Sequence, residues 1–361
     1  MLMFRFLQQL GLTTALVASA LAVFAESTLH NEADDPASWL KKMDRALSEE
    51  NYEGTFTYSR NAQFNTVEVV HRYRHGQELS RLFYLNGEQK EILTINGEST
   101  CQHVDSEHVL FDHEVTPKPF SKAFSRSLAS SPQFYRFKML GRERFVGRPT
   151  VVIGVSPTYN DRVGYKLWLD EATGLLLQSH LVHRGRPLEV FRFARVTIGE
   201  EIADAKLASS MDGNIVTHPL EQPTLEVAKE ERFAKPAWKA SWLPSGFQQV
   251  IRPARDRVSY SDGVAAISII VERAAISAAG EIVVARQGGT VLISRRLKGS
   301  NKQVTVVGEV PVETAKKIAE RGWNKSHRDF NAVNVCNYII NKTLDNNFTN
   351  NFWPEISFIA K

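Results

Sequence analysis

Apolar and polar residues alternate through most of the first half of the chain, a pattern typical of strands that bury one face and expose the other. The segment GTFTYSR (54–60) shows it clearly, with β-branched and aromatic residues on one side. Asn-Gly pairs at Asn86-Gly87 and Asn96-Gly97 separate further segments of this kind. Both residues tolerate positive φ, so each pair predicts a hairpin turn. The pattern therefore indicates an antiparallel meander.

One short helix is predicted before these strands. Apolar residues recur at helical spacing from Trp39 to Leu47, with charged residues between them. Asp34 or Asp35 can cap this helix, and Pro36 suits its first turn.

The strands continue, after an irregular region at 115–132, to about Ile202. The segment LDEATG (169–174) lies between two strand-like runs and predicts a further hairpin. Residues 205–236 lose all periodicity and contain several prolines, which indicates a linker. A second, smaller sheet then follows, and Pro311 begins a segment with the features of a closing helix.

The N-terminus has the features of a secretory signal peptide. Arg5 precedes an apolar run from Leu10 to Phe24, and small residues favour cleavage after Ala25, with Ala22 as the alternative. The run is short for a membrane span, although a retained N-terminal anchor is the other interpretation. We therefore expect an exported protein. The predicted organisation is a signal peptide (1–25), a large β domain (26–204), a linker (205–236), a small α+β domain (237–322) and an atypical Asn-rich tail (323–361).

Composition fits a globular protein with a substantial core. Of 361 residues, 43% are hydrophobic, and the formal net charge of +4 gives no reason to expect a nucleic-acid partner. Cys101 and Cys336 are the two cysteines, too few to be the framework of a fold of this size. We expect both to be dispensable for the structure.

The histidines do not predict a metal site. His71 and His75 are four residues apart, which in a strand separates them by roughly 13 Å. Cys101 and His103 begin the segment CQHVDSEHVLFDHE (101–114), but its ligand spacings lack the tight pairs typical of zinc sites. We therefore expect neither a metal nor a cofactor.

Motifs for catalysis are also missing from the sequence. It contains no G-x-S-x-G, P-loop, G-x-G-x-x-G or H-E-x-x-H pattern after the predicted signal peptide. The acids in YSDG (260–263) and LDE (169–171) are interpreted as turn residues. The sequence therefore favours a binding protein over an enzyme.

The chain resembles the RseB/MucB family of periplasmic regulators of the envelope-stress sigma factor. The resemblance runs in the same order from about Asp35 to Glu320 and not into the tail. It is carried by the segments NYEGTFTYSR, YRHGQELSRLFYLNGEQKEILTINGE, FYRFKMLGRERFVGRPTVVIGV, YKLWLDEATGLLLQSHLV, LEVFRF, WKASWLPSGFQQV, YSDGVAAISIIVERA and VTVVGEVPVETAKKIAE.

The resemblance implies an α+β, mostly antiparallel fold: a large unclosed β-barrel wrapped on helices, like LolA and LppX, and a smaller α+β domain. It implies that the protein binds the periplasmic segment of an RseA/MucA-like anti-sigma factor and shields it from regulated proteolysis, so that the sigma factor, AlgU in some members, stays inactive. Lipopolysaccharide or another envelope lipid would release it, and a homodimer is expected. The alternative is a periplasmic lipid or lipoprotein carrier with the same N-terminal fold.

Lipopolysaccharide offers phosphates and acyl chains, which a basic rim beside an apolar concavity would suit. No family motif assigns the ligand-binding positions, so we infer the candidate residues from this sequence alone. Charged residues of a solvated face and aromatic residues of an ordinary core are the alternatives. The candidates are Arg142, Arg144 and Arg148 for phosphates, and Phe83, Phe134 and Phe137 for the acyl region.

Overall fold

The computed structural model has two regions, and each is built on one antiparallel β-sheet. The described residues are 35–60, 63–104, 133–212, 215–220, 238–249, 257–274, 282–298, 300–321 and 324–325. The predicted signal peptide, the irregular region at 115–132 and the tail beyond 325 lie outside them. Among the described residues, no helix is long and apolar enough to cross a membrane.

The first element is the predicted helix, α1 (Pro36–Glu49). The Asp35 carboxylate accepts hydrogen bonds from the backbone N–H groups of Ala37 and Ser38, both at 3.2 Å, which confirms Asp35 as the cap. Pro36 occupies the first turn, where its missing N–H has no helical partner to lose. The apolar side of the helix is buried, with Leu40 fully inaccessible to water.

Eleven strands form the large antiparallel sheet. They are β1 (Tyr52–Arg60), β2 (Gln63–Arg74), β3 (Gln77–Tyr84), β4 (Lys90–Ile95), β5 (Glu98–Val104), β6 (Tyr135–Phe145), β7 (Arg148–Pro157), β8 (Gly164–Asp170), β9 (Leu176–His183), β10 (Arg186–Ile198) and β11 (Ile215–Leu220). Their order across the sheet is β11-β5-β4-β3-β2-β1-β10-β9-β8-β7-β6.

The sheet curls around α1 without closing. The helix contacts β2, β6 and β9, which are far apart in the strand order, so the sheet must wrap around it. Among the described strands, the two edges, β6 and β11, are not paired with each other. Tightly packed rings fill the core, with Phe56 and Phe191 centroids 4.9 Å apart and Phe191 and Phe193 5.5 Å apart. The predicted unclosed, mostly antiparallel fold is confirmed.

The predicted hairpin turns are present. Asn96 and Gly97 join β4 to β5 with φ values of 51° and 90°, the left-handed conformation that this two-residue turn requires. The LDEATG segment joins β8 to β9. There the Asp170 carboxylate accepts hydrogen bonds from the Thr173 N–H and hydroxyl, both at 2.9 Å.

The segment predicted as a linker begins with residues that pack on the large sheet. Within it, β11 pairs with β5, placing Ile215 opposite Val104. Ser209 also donates to Glu91, and Arg81 to Ser210. The physical reason is that the edge of β5 offers backbone groups that a β-branched segment can pair with. Residues 221–237 lie outside the described part of the chain.

The second region is a six-stranded antiparallel sheet with one helix. Its strands are β13 (Gln248–Gln249), β14 (Arg257–Ser261), β15 (Ala266–Arg273), β16 (Ile282–Gln287), β17 (Thr290–Arg296) and β18 (Lys302–Gly308), in the order β13-β14-β15-β18-β17-β16. A separate short pair joins β12 (Trp238–Lys239) to β19 (Asn324–Lys325). The predicted closing helix, α2 (Val312–Arg321), follows Pro311 and buries Ala315 and Ile318 against β17 and β18.

Candidate functional site

A buried ion pair joins the two regions. Arg162 follows β7, and its Nε donates to Asp262 Oδ2 in the second region at 2.6 Å. Both side chains are completely inaccessible to water. The same guanidinium donates to Asp161 Oδ1 at 2.5 Å and to the Ser245 carbonyl. Its donors are thus paired on both sides of the junction, as a buried charge requires.

Aromatic rings enclose this arginine. The Phe134 centroid lies 4.9 Å and the Phe247 centroid 5.1 Å from its guanidinium carbon, so one ring comes from each region. Burial lowers the pKa of Arg162, but the hydrogen bond and charge of Asp262 outweigh it, and the pKa rises overall. The group therefore stays charged.

Asp262 belongs to the YSDG turn and uses both carboxylate oxygens. Oδ1 accepts from the N–H groups of Val264 at 2.9 Å and Ala265 at 2.7 Å, which builds the predicted turn. Oδ2 faces the other region and accepts from Arg162 and from the Tyr135 hydroxyl at 3.2 Å. Burial, together with the Asp262 carboxylate, raises the pKa of the Tyr135 phenol, so this hydroxyl remains a neutral donor.

Glu189 on β10 makes a second contact between the regions. Its Oε1 accepts from the Gly289 N–H of the β16–β17 turn at 2.9 Å, and Arg60 lies 3.3 Å away. The Tyr58 hydroxyl donates to Oε2. Burial and the Glu189 charge raise the pKa of Tyr58, so it also stays protonated. Two buried polar contacts therefore fix the small sheet against the large one.

A cavity of about 560 Å³ opens beside this junction, on the outer face of β6–β9. Its floor contains Gly154 and Gly164, and Lys138, Lys166 and His180 stand around it. We call this cavity the glycine-floored furrow. Its described lining includes basic and neutral residues but no carboxylate. Beside it, the Glu143 carboxylate lies 3.4 Å from the Lys166 ammonium, which is also 4.3 Å from the Trp168 ring centroid.

The three predicted phosphate-binding arginines lie on the β6–β7 hairpin, outside the furrow. Arg142 donates to Glu171 at 2.9 Å in an exposed pair, and Arg148 forms a two-bonded pair with Asp170 at 2.6 and 3.2 Å. Arg144 is exposed. The structure thus brings the three into one hairpin but gives two of them acidic partners, and phosphate binding by them remains a prediction.

The three predicted apolar residues are not brought together. Phe134 stacks on Arg162 at the junction, and Phe137 packs against the core of the large sheet. Phe83 lies on β3, which six strands separate from β6 in the sheet order, and the Arg81 guanidinium covers its ring at 5.2 Å. Acyl binding by these residues remains a prediction, and no common pocket supports it.

Two of the histidines considered as ligands, His71 and His103, have hydrogen-bond partners within the fold, while residues 105–114 lie outside the described residues. His71 is buried, stacks on Tyr52 at 4.5 Å and contacts Glu78 Oε1 at 3.1 Å. His103 is also buried, on β5, where Cys101 is half-buried. Within the described part of the chain, no three potential ligands cluster in a way that could hold a metal.

Comparison with known protein families gives two matches in tandem. The family model described as the MucB/RseB N-terminal domain matches residues 35–211, and the one described as the MucB/RseB C-terminal domain matches residues 232–321. The first includes Arg162 and the second Asp262, so the ion pair at the junction joins the two matched regions.

Curated relatives and solved structures agree with these models. The chain is 31% identical to the sigma factor AlgU regulatory protein MucB of Pseudomonas aeruginosa, over 84% of this chain and 94% of that protein. It is 28% identical to the sigma-E factor regulatory protein RseB of Salmonella typhimurium, over 87% and 98%. A solved complex of P. aeruginosa MucA and MucB contains a chain that is 30% identical, with a TM-score of 0.64 and coverage of 81% of this chain and all of that one. The protein belongs to the MucB/RseB family.

Proposed function

We propose that the protein is an exported regulator that binds the periplasmic segment of a membrane anti-sigma factor, shields it from regulated proteolysis and so keeps the envelope-stress sigma factor inactive. The observation that carries this proposal is the match to MucB through both regions, together with the structural similarity to a chain solved in complex with MucA. A cleaved signal peptide, release by lipopolysaccharide or another envelope lipid, and a homodimer are parts of the same proposal.

The structure is compatible with inhibition of proteolysis by steric shielding of the anti-sigma segment. Such inhibition needs a surface that competes with the protease, and it needs no reacting group. The ion pair between Arg162 and Asp262 and the contact between Glu189 and Gly289 hold the two regions in one arrangement. A partner that contacts both regions would then meet a preformed surface, which reduces the entropy lost on binding. A lipid would release the partner only if it binds the free regulator better than the complex.

The second region favours a regulator over a carrier. A lipid or lipoprotein carrier with the same large sheet would not need it. Here the second region matches the MucB/RseB C-terminal model over residues 232–321 and makes buried contacts with the large sheet.

Calorimetric titration of the mature chain, from Glu26, with the periplasmic segment of the host's envelope-stress anti-sigma factor tests the proposal. We expect binding in the micromolar range or tighter, weakened when lipopolysaccharide is present. Because the full chain is basic, with a pI of about 8.9, a segment of the same composition in scrambled order is the control for charge-driven binding. Equal binding of both segments, or binding of neither, would refute a specific complex.

A proteolysis assay tests the shielding step. The first protease of the regulated cascade should cleave the anti-sigma segment more slowly when the protein is present, and lipopolysaccharide should restore the rate. An unchanged rate despite complex formation would contradict inhibition by covering. Lipid binding without segment binding would favour a carrier.

A further inference from the structure

His71 on β2 is a buried histidine whose two ring nitrogens both face hydrogen-bond acceptors. Its side chain is 2% exposed. Nδ1 lies 2.8 Å from the backbone carbonyl oxygen of Glu50, the residue that caps the C-terminus of α1. Nε2 lies 3.1 Å from Oε1 of Glu78 on β3. The ring therefore bridges the end of the helix and the next strand of the sheet.

The register of the sheet explains why these groups meet. His71 pairs directly with Ser80 on β3, and Glu78, two residues before Ser80, lies on the same face of that strand. This is the core face of the sheet, since Val69, two residues before His71, belongs to the core cluster. The helix α1 packs on this face and contacts β2, so its cap can reach the ring.

A neutral histidine cannot satisfy both contacts. Neutral imidazole carries one N–H and one nitrogen with a lone pair, whereas the imidazolium form donates from both nitrogens. A backbone carbonyl and a carboxylate are both acceptors, so the neutral ring would point its lone pair at one of them. With the proton on Nδ1, that unfavourable contact falls between Nε2 and the Glu78 carboxylate. The two contacts therefore require one proton more than a neutral ring beside a carboxylate provides.

The surroundings of the ring favour a positive charge. Burial opposes it, but a carboxylate in hydrogen-bond contact and the negative end of a helix both stabilise it. The last turn of α1 has no basic residue of its own, and the helix ends in Glu49 with Glu50 as its cap. Tyr52 stacks on the ring, with centroids 4.5 Å apart and planes 5° from parallel, so an aromatic face meets the cation. Burial and the Glu78 charge raise the pKa of the Tyr52 phenol, which therefore stays neutral.

The other charged residues next to these positions lie on the outer face of the sheet. Arg72 follows His71 on β2 and forms an ion pair with Asp204. Glu53 follows Tyr52 on β1 and forms an ion pair with Lys206 at 2.6 Å. Since side chains alternate between the faces of a strand, both pairs are separated from the ring by the sheet. Glu78 is thus the carboxylate that contacts the ring on the core face.

We propose that His71 is an imidazolium that clamps the end of α1 to β2 and β3, through a hydrogen bond to the Glu50 carbonyl and an ion pair with Glu78. We call this arrangement the histidine clamp. The folded protein then holds a proton that the unfolded chain releases above about pH 6.5, so the clamp stabilises less and less as the pH rises from there. The clamp makes the seating of α1 inside the curled sheet sensitive to pH. It belongs to the large region alone and does not rest on the proposed function.

Three variants of the mature chain test the clamp. In Glu78→Gln the new amide can donate to Nε2, so a neutral ring with its proton on Nδ1 satisfies both contacts. Glu88→Gln, in the exposed connection between β3 and β4, is the matched control for loss of one carboxylate. His71→Gln, whose amide can still donate to the Glu50 carbonyl, identifies the ring signals by their absence. Circular dichroism checks that each variant is folded.

Nitrogen-15 spectra of the histidine-labelled chain show which ring nitrogens carry protons. At about pH 7.5, one unit above the ordinary value for histidine, we expect both nitrogens of His71 to be protonated in the wild type and in Glu88→Gln. In Glu78→Gln we expect a proton on Nδ1 alone. A wild-type ring with a single protonated nitrogen would overturn the proposal. So would a doubly protonated ring in Glu78→Gln, because the second proton would then not depend on the ion pair.

Urea unfolding at about pH 6.5 and about pH 8.5 measures the effect on stability. The unfolding equilibrium constant of the wild type should rise about tenfold more over this range than that of Glu78→Gln, because only the wild type loses a proton on unfolding. Glu88→Gln should follow the wild type. Equal changes in the wild type and in Glu78→Gln would show that the folded ring holds no additional proton, and the clamp would be refuted.

Discussion

Replacing Arg162 with alanine should loosen the junction between the two regions more than any replacement of a surface arginine. The change removes the charge facing Asp262 and leaves that carboxylate buried, with both side chains at 0% exposure in the intact protein. It also removes the cation held between Phe134 and Phe247. Breaking a buried ion pair by deleting one partner typically costs about 3–5 kcal/mol. That is a large part of a total stability of about 5–15 kcal/mol.

Arg142→Ala is the matched control. Arg142 also donates to a carboxylate, that of Glu171 at 2.9 Å, but the two side chains are 52% and 40% exposed. Loss of such a pair should cost no more than about 1 kcal/mol. Urea unfolding of both variants measures the difference. Small-angle X-ray scattering shows whether part of the Arg162 effect appears as separation of the regions, since separation lets Asp262 regain water.

A double variant separates the charge from the packing. Arg162→Met with Asp262→Asn removes both charges, while the Asn side-chain oxygen can still accept from the Val264 and Ala265 N–H groups. It should recover much of the stability lost in Arg162→Ala, because no buried carboxylate is then left without its cation. If Arg162→Ala costs no more than Arg142→Ala, the junction is not held by this pair and the argument is wrong.

Three further outcomes are expected. Burial is the main reason that the pKa of His180 is lowered in the folded state. The free energy of unfolding should therefore fall as the pH drops below the pKa of the unfolded state, about 6.5. In urea titrations at several pH values, His180→Gln should reduce this dependence of stability on pH. Gly246→Ala should destabilise the junction, because φ at this glycine is 89° and the new Cβ would lie 2.1 Å from the Phe134 ring. Gly185→Ala is the control: φ is 75° there and no atom lies near the new Cβ, so this change adds backbone strain alone. Thermal unfolding compares the stability of the two variants. Asp35→Ala should cost about 1 kcal/mol by removing the α1 cap, and an unchanged urea midpoint would contradict that role.

Local patterns predicted the elements of this fold well. The caps, the Asn96-Gly97 turn and the strand alternation are each determined by a few consecutive residues, so a single sequence contains them. The edge strand β11 was not predicted, because its β-branched residues lie within a longer segment that is mostly polar and contains prolines, and they form a strand only where β5 offers an edge.

The junction and the furrow could not be predicted in this way. Arg162 and Asp262 are 100 residues apart, and YSDG accounts fully for a turn without revealing that one carboxylate oxygen faces another region. The furrow becomes visible only when the register places Lys138, Gly154, Lys166 and His180 in one row across four neighbouring strands. The arginine-rich hairpin drew attention in the sequence, although two of its three candidate arginines, Arg142 and Arg148, have acidic partners in the fold.

The open edges of the large sheet carry a risk of aggregation that the sequence counters. An edge strand can template pairing with another molecule, and among the described strands the sheet has two such edges, β6 and β11. On β6 a bulge between Met139 and Gly141, with φ 122° at the glycine, bends the strand and breaks its regular pairing surface. On β11, Pro219 has no N–H to offer an incoming strand. The bulge on β6 and the proline on β11 therefore make strand pairing between molecules at these edges less favourable.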